Sequence, residues 1–357
     1  MTLRRQLIFW SLALFVFIAL LWLLNEVLLP FVAAMVLAYL LDPLVKRIQR
    51  MGVNRALASV AIVSVFIVAL VLAGILLAPI LSDQISGLLD RIPGYVERIR
   101  QLMADPNQGW LGKFVGEKLP AAQKSLGGAA STAAGWAGAF LASLWSGGKA
   151  LVSVLSLLVI TPIVTFYLLL DWDKMVNAVD NWLPRHHRAT IRGVMNEMDL
   201  AIAGFVRGQA LCCVILGVMY CVGLIALGLN FGLLIGIVAA VLSFIPYVGT
   251  IVGLILAGGV AIAQFWPDWT PLVIVLAVFG VGQFLEGNVL QPYFVGKTVG
   301  LPPVWLMFSL LAFGYLFGFV GLLIAVPVAA AIGVMTRFLL RQYLASPFYT
   351  GDGAQRP

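Results

Sequence analysis

Charge is scarce in this sequence. Asp, Glu, Lys and Arg make up 10% of its 357 residues, where a soluble globular chain carries about a quarter. Hydrophobic residues fill 62%. That balance excludes a soluble globular fold and implies an integral membrane protein whose main neighbour is the lipid bilayer. Histidine is almost missing. The two residues, His186 and His187, sit beside Arg185 and Arg188 and read as a solvated loop rather than a metal site. The three cysteines, Cys212, Cys213 and Cys221, share one apolar run, which argues for packing and against a disulfide framework or bound metal. Glycine-rich runs such as Gly127-Gly128 lack the lysine of a phosphate loop. No pair of intramembrane acids is spaced for general acid and base work, so neither an enzyme nor a cofactor is expected. The excess of seven positive charges calls for no nucleic-acid partner, because the basic residues gather in loops between apolar runs.

What is abundant is apolar length. Arg4 and Arg5 precede an apolar run over 7–24 without a cleavage signal, which reads as an uncleaved first span. Asn25 and Glu26 are expected to turn the chain. A short return over 27–41 is expected to end at Asp42-Pro43, and a third span covers 56–81. The polar region 82–148 opens with apolar residues at helical spacing from Ile85 to Leu102, then turns rich in Ala, Gly and Ser over 121–145. A fourth span covers 149–170, an amphipathic helix 191–206, and a fifth span 210–227. Trp266 and Trp269 mark an interfacial turn before another span over 272–285.

The chain is organised around two longer apolar stretches, 231–264 and 305–335. A straight helix as long as the first would measure roughly 50 Å, against about 30 Å of hydrocarbon. Each is interrupted by helix breakers: Pro246 and Gly249 in the first, and Gly314, Gly318 and Gly321 in the second. Laid together without a gap, Val248-Gly249 falls on Val320-Gly321. The fold class expected is all-α integral membrane protein with about eight membrane segments, two of them broken and folded into helical hairpins of inverted topology. With both termini in the cytoplasm, the basic loops fall on the inner side and the 82–148 region outside. Interrupted segments at corresponding places in two halves point to a transporter's binding site. A channel or a structural membrane protein are the rival readings.

Candidate site residues cluster at the breaks. Ser243, Tyr247 and Thr250 bring hydroxyls to the first, beside Pro246 and Gly249, while Gly318 and Gly321 shape the second. Glu286, Asn288 and Gln291 form a polar group after the 272–285 span. An ionisable residue near membrane depth is costly, and Glu286 is a candidate to bind a cation, relay a proton or pair with Arg207; the plain alternative is an interfacial helix end. Arg207 and Gln209, at the foot of the fifth span, carry the same ambiguity, as gating or structural residues. No metal site is expected.

Phe205-Val206-Arg207-Gly208-Gln209, Ile245-Pro246-Tyr247-Val248-Gly249, Leu285-Glu286-Gly287-Asn288 through Gln291-Pro292, and Phe317-Gly318-Phe319-Val320-Gly321 to Pro327 resemble successive signatures of the autoinducer-2 exporter family. The likeness covers nearly the whole chain and is most specific from Asp171 onward; Pro303 departs from the pattern. The resemblance implies a multi-pass permease of the bacterial inner membrane, with members linked to export of the quorum-sensing molecule autoinducer-2 and others similar to sodium(lithium)/proton antiporters. It also implies homo-oligomers, pentamers in particular, and an elevator-like movement. Carried onto this chain, 1–81 would be the scaffold, 82–148 an extracytoplasmic region, 149–204 a span and amphipathic helix, 205–336 the transport unit, and 337–357 a cytoplasmic tail. Secondary transport of a small polar solute, coupled to H+ or Na+ or driven by the solute's own gradient, is the leading expectation. A cation/proton antiporter and a non-transporting scaffold are its rivals.

Overall fold

The computed structural model describes residues 23–104, 148–295 and 300–346, with single positions at 9, 12, 16, 20 and 349. Most of the predicted span 7–24 and all of the Ala-, Gly- and Ser-rich stretch 121–145 lie outside these. Among the described residues all regular structure is helical: α1 (Asn25–Gln49), α2 (Arg55–Ala104), α3 (Gly148–Trp182), α4 (Arg188–Ala226), α5 (Gly232–Leu242), α6 (Val248–Phe265), α7 (Thr270–Leu285), a π-helix (Glu286–Val295) and α8 (Pro303–Leu344). Six of these stretches are long and apolar enough to cross a membrane, and α5 is a shorter apolar helix.

Several helices outrun their expected ends. Helical torsion breaks at Leu24 (φ −91°, ψ 11°), and Asn25 and Glu26 open α1 rather than forming the turn themselves. Asp42-Pro43 does not end α1, which continues to Gln49. α2 passes Leu81 and runs unbroken through Pro79 and Pro93. α3 continues beyond Asp171 to Trp182. The amphipathic helix 191–206 and the fifth span are one helix, α4. The reason is common to all. Polar residues mark where a helix leaves the bilayer, but they do not interrupt backbone hydrogen bonding when apolar periodicity persists.

The chain forms two compact units, each built from separated segments: 1–67, 156–211 and 290–357 in one, 68–155 and 212–289 in the other. In the first, Leu37, Leu41 and Val45 of α1 pack with Ala58 and Val63 of α2 and Leu169 of α3. Thr161 and Thr165 of α3 donate across to the carbonyls of Pro30 and Ala34 at 3.3 Å each. Such interhelical hydrogen bonds hold helices together where hydrocarbon gives no hydrophobic drive.

α8 belongs to this unit and is two arms rather than one rod. Gly318 (φ 58°, ψ −135°) takes a conformation open only to glycine, so helical torsions stop there. The chain then doubles back. A Cβ on Gly333 would lie 2.8 Å from the Leu301 side chain, and Arg337 reaches the Gly300 carbonyl at 3.4 Å. In a straight helix residues that far apart would be separated by about 50 Å.

The second unit holds the other hairpin, α5 and α6. α5 has 11 residues, about 16 Å of helix, too short to span the hydrocarbon alone. Its entry turn has left-handed torsions at Gly228 and Phe231. Gln264, near the end of α6, accepts from the Asn230 amide at 2.8 Å and donates to the Gly228 carbonyl at 2.9 Å. Gln84 of α2 accepts from the Leu234 amide at 2.9 Å, satisfying a donor that the first turn of α5 leaves without an intrahelical partner.

Candidate functional site

The first break spans the five residues between α5 and α6. Pro246 is buried and Tyr247 half-buried, with Tyr247 in the left-handed region at φ 69°. Such a torsion is strained for a bulky side chain, costing on the order of 1–3 kcal/mol. Gly249 permits the turn, because a Cβ there would overlap the Ala239 carbonyl and the Ser243 hydroxyl. Ser243 is buried, and its hydroxyl donates to the Ala239 carbonyl of its own helix at 2.8 Å.

One turn into α6, Thr250 faces a carboxylate. Glu286 opens the π-helix directly after α7 and is 1% exposed. The Thr250 hydroxyl donates to Glu286 Oε2 at 3.5 Å, the long end of the hydrogen-bonding range. Tyr220 of α4 adds its hydroxyl 3.2 Å from that of Thr250. With Thr250 donating to the carboxylate, Tyr220 donates to Thr250. The result is a line of two hydroxyls ending on a buried carboxyl group. Close packing holds it. Tyr220 stacks on Phe279 with ring centres 4.6 Å apart, and Gly282 and Gly253 leave room for these rings, since a Cβ would come within 2.5 Å of the Tyr220 hydroxyl and 2.6 Å of Phe279. Chemically, a buried carboxyl with hydroxyl neighbours can hold a proton or a desolvated cation.

The rest of the predicted polar group does not gather here. Asn288 is exposed, and its amide donates to the Phe284 carbonyl of the preceding turn at 3.0 Å. Gln291 is half-buried in the π-helix. The wider π turn accommodates Pro292, which has no amide hydrogen and would clash inside a regular α-helix.

In the other unit, Gly321 repeats the role of Gly249. A Cβ there would overlap the Phe313 carbonyl on the opposite arm of α8. The glycines of the two Val-Gly pairs therefore each let the second arm of a hairpin press on a backbone carbonyl of the first.

Arg207 and Gln209 lie on α4 in that same unit, Gln209 buried and Arg207 exposed. Gly208 between them lets α4 meet the π-helix backbone, its would-be Cβ lying 2.5 Å from the Phe294 carbonyl oxygen. Arg207 donates to the Tyr39 carbonyl at 2.9 Å and lies 3.9 Å from Asp42. Asp42 also pairs with Lys46 at 2.8 Å and Arg55 at 3.9 Å. Tyr39 donates to Asp199 at 2.9 Å, and Arg55 joins Asp173 and donates to the Leu169 carbonyl at 2.7 Å. A cavity of ≈ 180 Å³ sits among Tyr39, Asp42, Trp172, Asp199 and Arg207. This charged cluster escaped the sequence reading, which took Asp42 for a helix end. The signal was there: Asp42 and Lys46 stand four apart on one helix face. Tyr220 was missed too, as one polar atom inside an apolar span.

Comparison with known proteins adds the rest. A family profile described as AI-2E family transporter matches residues 11–341. "Putative transport protein YrrI" of Bacillus subtilis is 27% identical over 331 residues, covering 90% of this chain and 89% of its own. "Putative permease PerM" of Escherichia coli K12 is 30% identical over 315 residues, covering 86% of each. "Putative transport protein YueF" of Bacillus subtilis is 25% identical over 305 residues, covering 85% and 81%. With a broken hairpin in each compact unit and the family match running nearly end to end, this multi-pass membrane protein belongs to the AI-2E family of transporters.

Proposed function

We propose that this protein is a secondary transporter that moves a small polar solute, such as autoinducer-2, outward across the bacterial inner membrane. The observation that carries the reading is the pair of apolar segments folded back at Pro246–Gly249 and at Gly318–Gly321. Broken helices leave backbone dipoles that lipid cannot satisfy, so such breaks persist where they face protein or a watery cavity. The residues that would meet the solute are Ser243, Pro246, Tyr247, Gly249 and Thr250 at the first break, and Gly318 and Gly321 at the second. Glu286, Asn288 and Gln291 would shape the approach, and Arg207 and Gln209 would act in gating. Residues 205–336 would move against a scaffold of the first spans in an elevator-like cycle, within a homo-oligomer.

Glu286 favours a second reading, a sodium(lithium)/proton antiporter. A carboxyl that is 1% exposed and approached by the Thr250 hydroxyl is suited to exchanging a proton for a cation. One experiment separates the two. The purified chain is reconstituted in liposomes and offered a panel of small polar metabolites, with and without imposed H+ or Na+ gradients. Solute flux that needs the chain supports the first reading. Sodium-dependent proton flux without any solute, abolished by Glu286→Gln, supports the second, and no flux of either kind rejects both.

A further inference from the structure

The second arm of α8 lies against the first near the tip, and against the residues just before α8 near the base. Near the tip a Cβ on Gly314 would lie 2.8 Å from Leu322, and near the base one on Gly333 would lie 2.8 Å from Leu301. Between them runs a cleft of ≈ 420 Å³ walled by Phe308, Ala312 and Phe313 on one arm and by Ala329 and Ile332 on the other, with Trp305 at its side. Trp305 and Phe308 are 59% and 61% exposed, so the cleft opens on the outer face of the hairpin. At its base stands Arg337. Among the described residues its guanidinium makes only long polar contacts, 3.4 Å to the Gly300 carbonyl and 4.0 Å to Glu197. Arg341, one turn on, shares Glu197 at 3.4 Å, so two cations meet one acid there.

We propose that this cleft holds one acyl chain of an anionic phospholipid, with the lipid phosphate on Arg337. Three features select that occupant. The walls are apolar but for Ser309, whose hydroxyl is spent on the Leu306 carbonyl of its own helix, and the charged atoms gather at one end with a net positive charge, which fits a molecule apolar in its tail and anionic at its head. A cation near the bilayer surface favours an anionic head by roughly fivefold. The cleft is also narrowed by the Gly314–Leu322 contact at the tip and the Gly333–Leu301 contact near the base. A helix from a second copy, about 10 Å across, cannot enter between the arms, whereas a single hydrocarbon chain can.

The test uses the full chain in phosphatidylcholine nanodiscs carrying a trace of phosphatidylglycerol spin-labelled on its acyl chain. A motionally restricted spectral component is expected, falling to less than half with Ala312→Trp, which fills the cleft. With Arg337→Gln the preference for phosphatidylglycerol over equally labelled phosphatidylcholine should drop roughly fivefold, and Arg337→Lys should keep most of it. Arg337 is partly exposed, so its variants serve even if Ala312→Trp fails to fold. A benzophenone residue in place of Phe308 should cross-link to lipid. Cross-linking to a second copy of the chain, or an unchanged restricted component in both Ala312→Trp and Arg337→Gln, would overturn the proposal.

Discussion

Gly321 is pressed against the carbonyl oxygen of Phe313 with no room for a methyl group between them. Gly249 stands in the same relation to Ala239. Alanine at either position should force the arms apart and lower stability by about 1–3 kcal/mol, with transport lost in proportion. Gly318→Ala should destabilise by a different route, because it forbids the turn torsion. Gly258 and Gly259 on α6 have open space around them, and alanine there should stabilise by about 0.5–1 kcal/mol. Thermal unfolding in detergent compares the series, and equal melting temperatures across it would refute the packing argument.

The Tyr220–Thr250–Glu286 line predicts energetic coupling. Thr250→Val leaves the buried Tyr220 hydroxyl without its partner, at a cost of about 1 kcal/mol. Tyr220→Phe should cost similarly, and the double variant less than the sum. Unfolding of the four proteins measures the cycle. Strict additivity would mean the hydroxyls act independently.

Asp42 gathers Lys46, Arg55 and Arg207 from three helices. Asp42→Asn should lower stability by about 1 kcal/mol, since partly exposed pairs contribute little each. The gap to the unaltered chain should narrow in high salt, which screens such pairs. A gap indifferent to salt would assign the loss to packing instead.

Beyond the apolar part of α3, Arg192 and then Arg188 bind Asp180 and hold its carboxyl well below the usual carboxylate range. A carboxyl so depressed stabilises the fold above its unfolded pKa and loses that contribution as pH falls toward its folded value. Acidification from neutral pH should therefore destabilise the native chain more than Asp180→Asn. Parallel melting curves for the two across the acid range would contradict this.

Single cysteines at Tyr247 and Phe319 test the placement of the elbows. Phe319 is 51% exposed and Tyr247 half-buried. Each should react with a small water-soluble thiol reagent, and transported solute should slow the reaction at each. Rates indifferent to solute at both positions would take the breaks out of the solute path.

Much of this was legible beforehand. The breaks at Pro246 and Gly318 follow from residue types with few conformational options, so local sequence sufficed. Helix ends did not, because the sequence reports polarity while the backbone follows hydrogen bonding. Arg207-Gly208-Gln209 shows the difference: it reads as an interruption, yet α4 passes through it, and Gly208 is there for the Phe294 backbone. Asp42 and Tyr220 matter through partners more than a hundred residues away or on a different helix, which no local pattern encodes. Glu286 was visible as an anomaly, but its burial depends on Thr250 and Tyr220 arriving from other helices.

Gln264 fastens the open end of the α5–α6 hairpin by gripping the chain at Gly228 and at Asn230. A lever riveted at its handle cannot scissor, so the two arms of this hairpin are held as one solid paddle. Among the described residues its counterpart in α8 is joined at the base by the Leu301 contact and a long Arg337 hydrogen bond. Of the two, it is the one with the looser fastening at its open end.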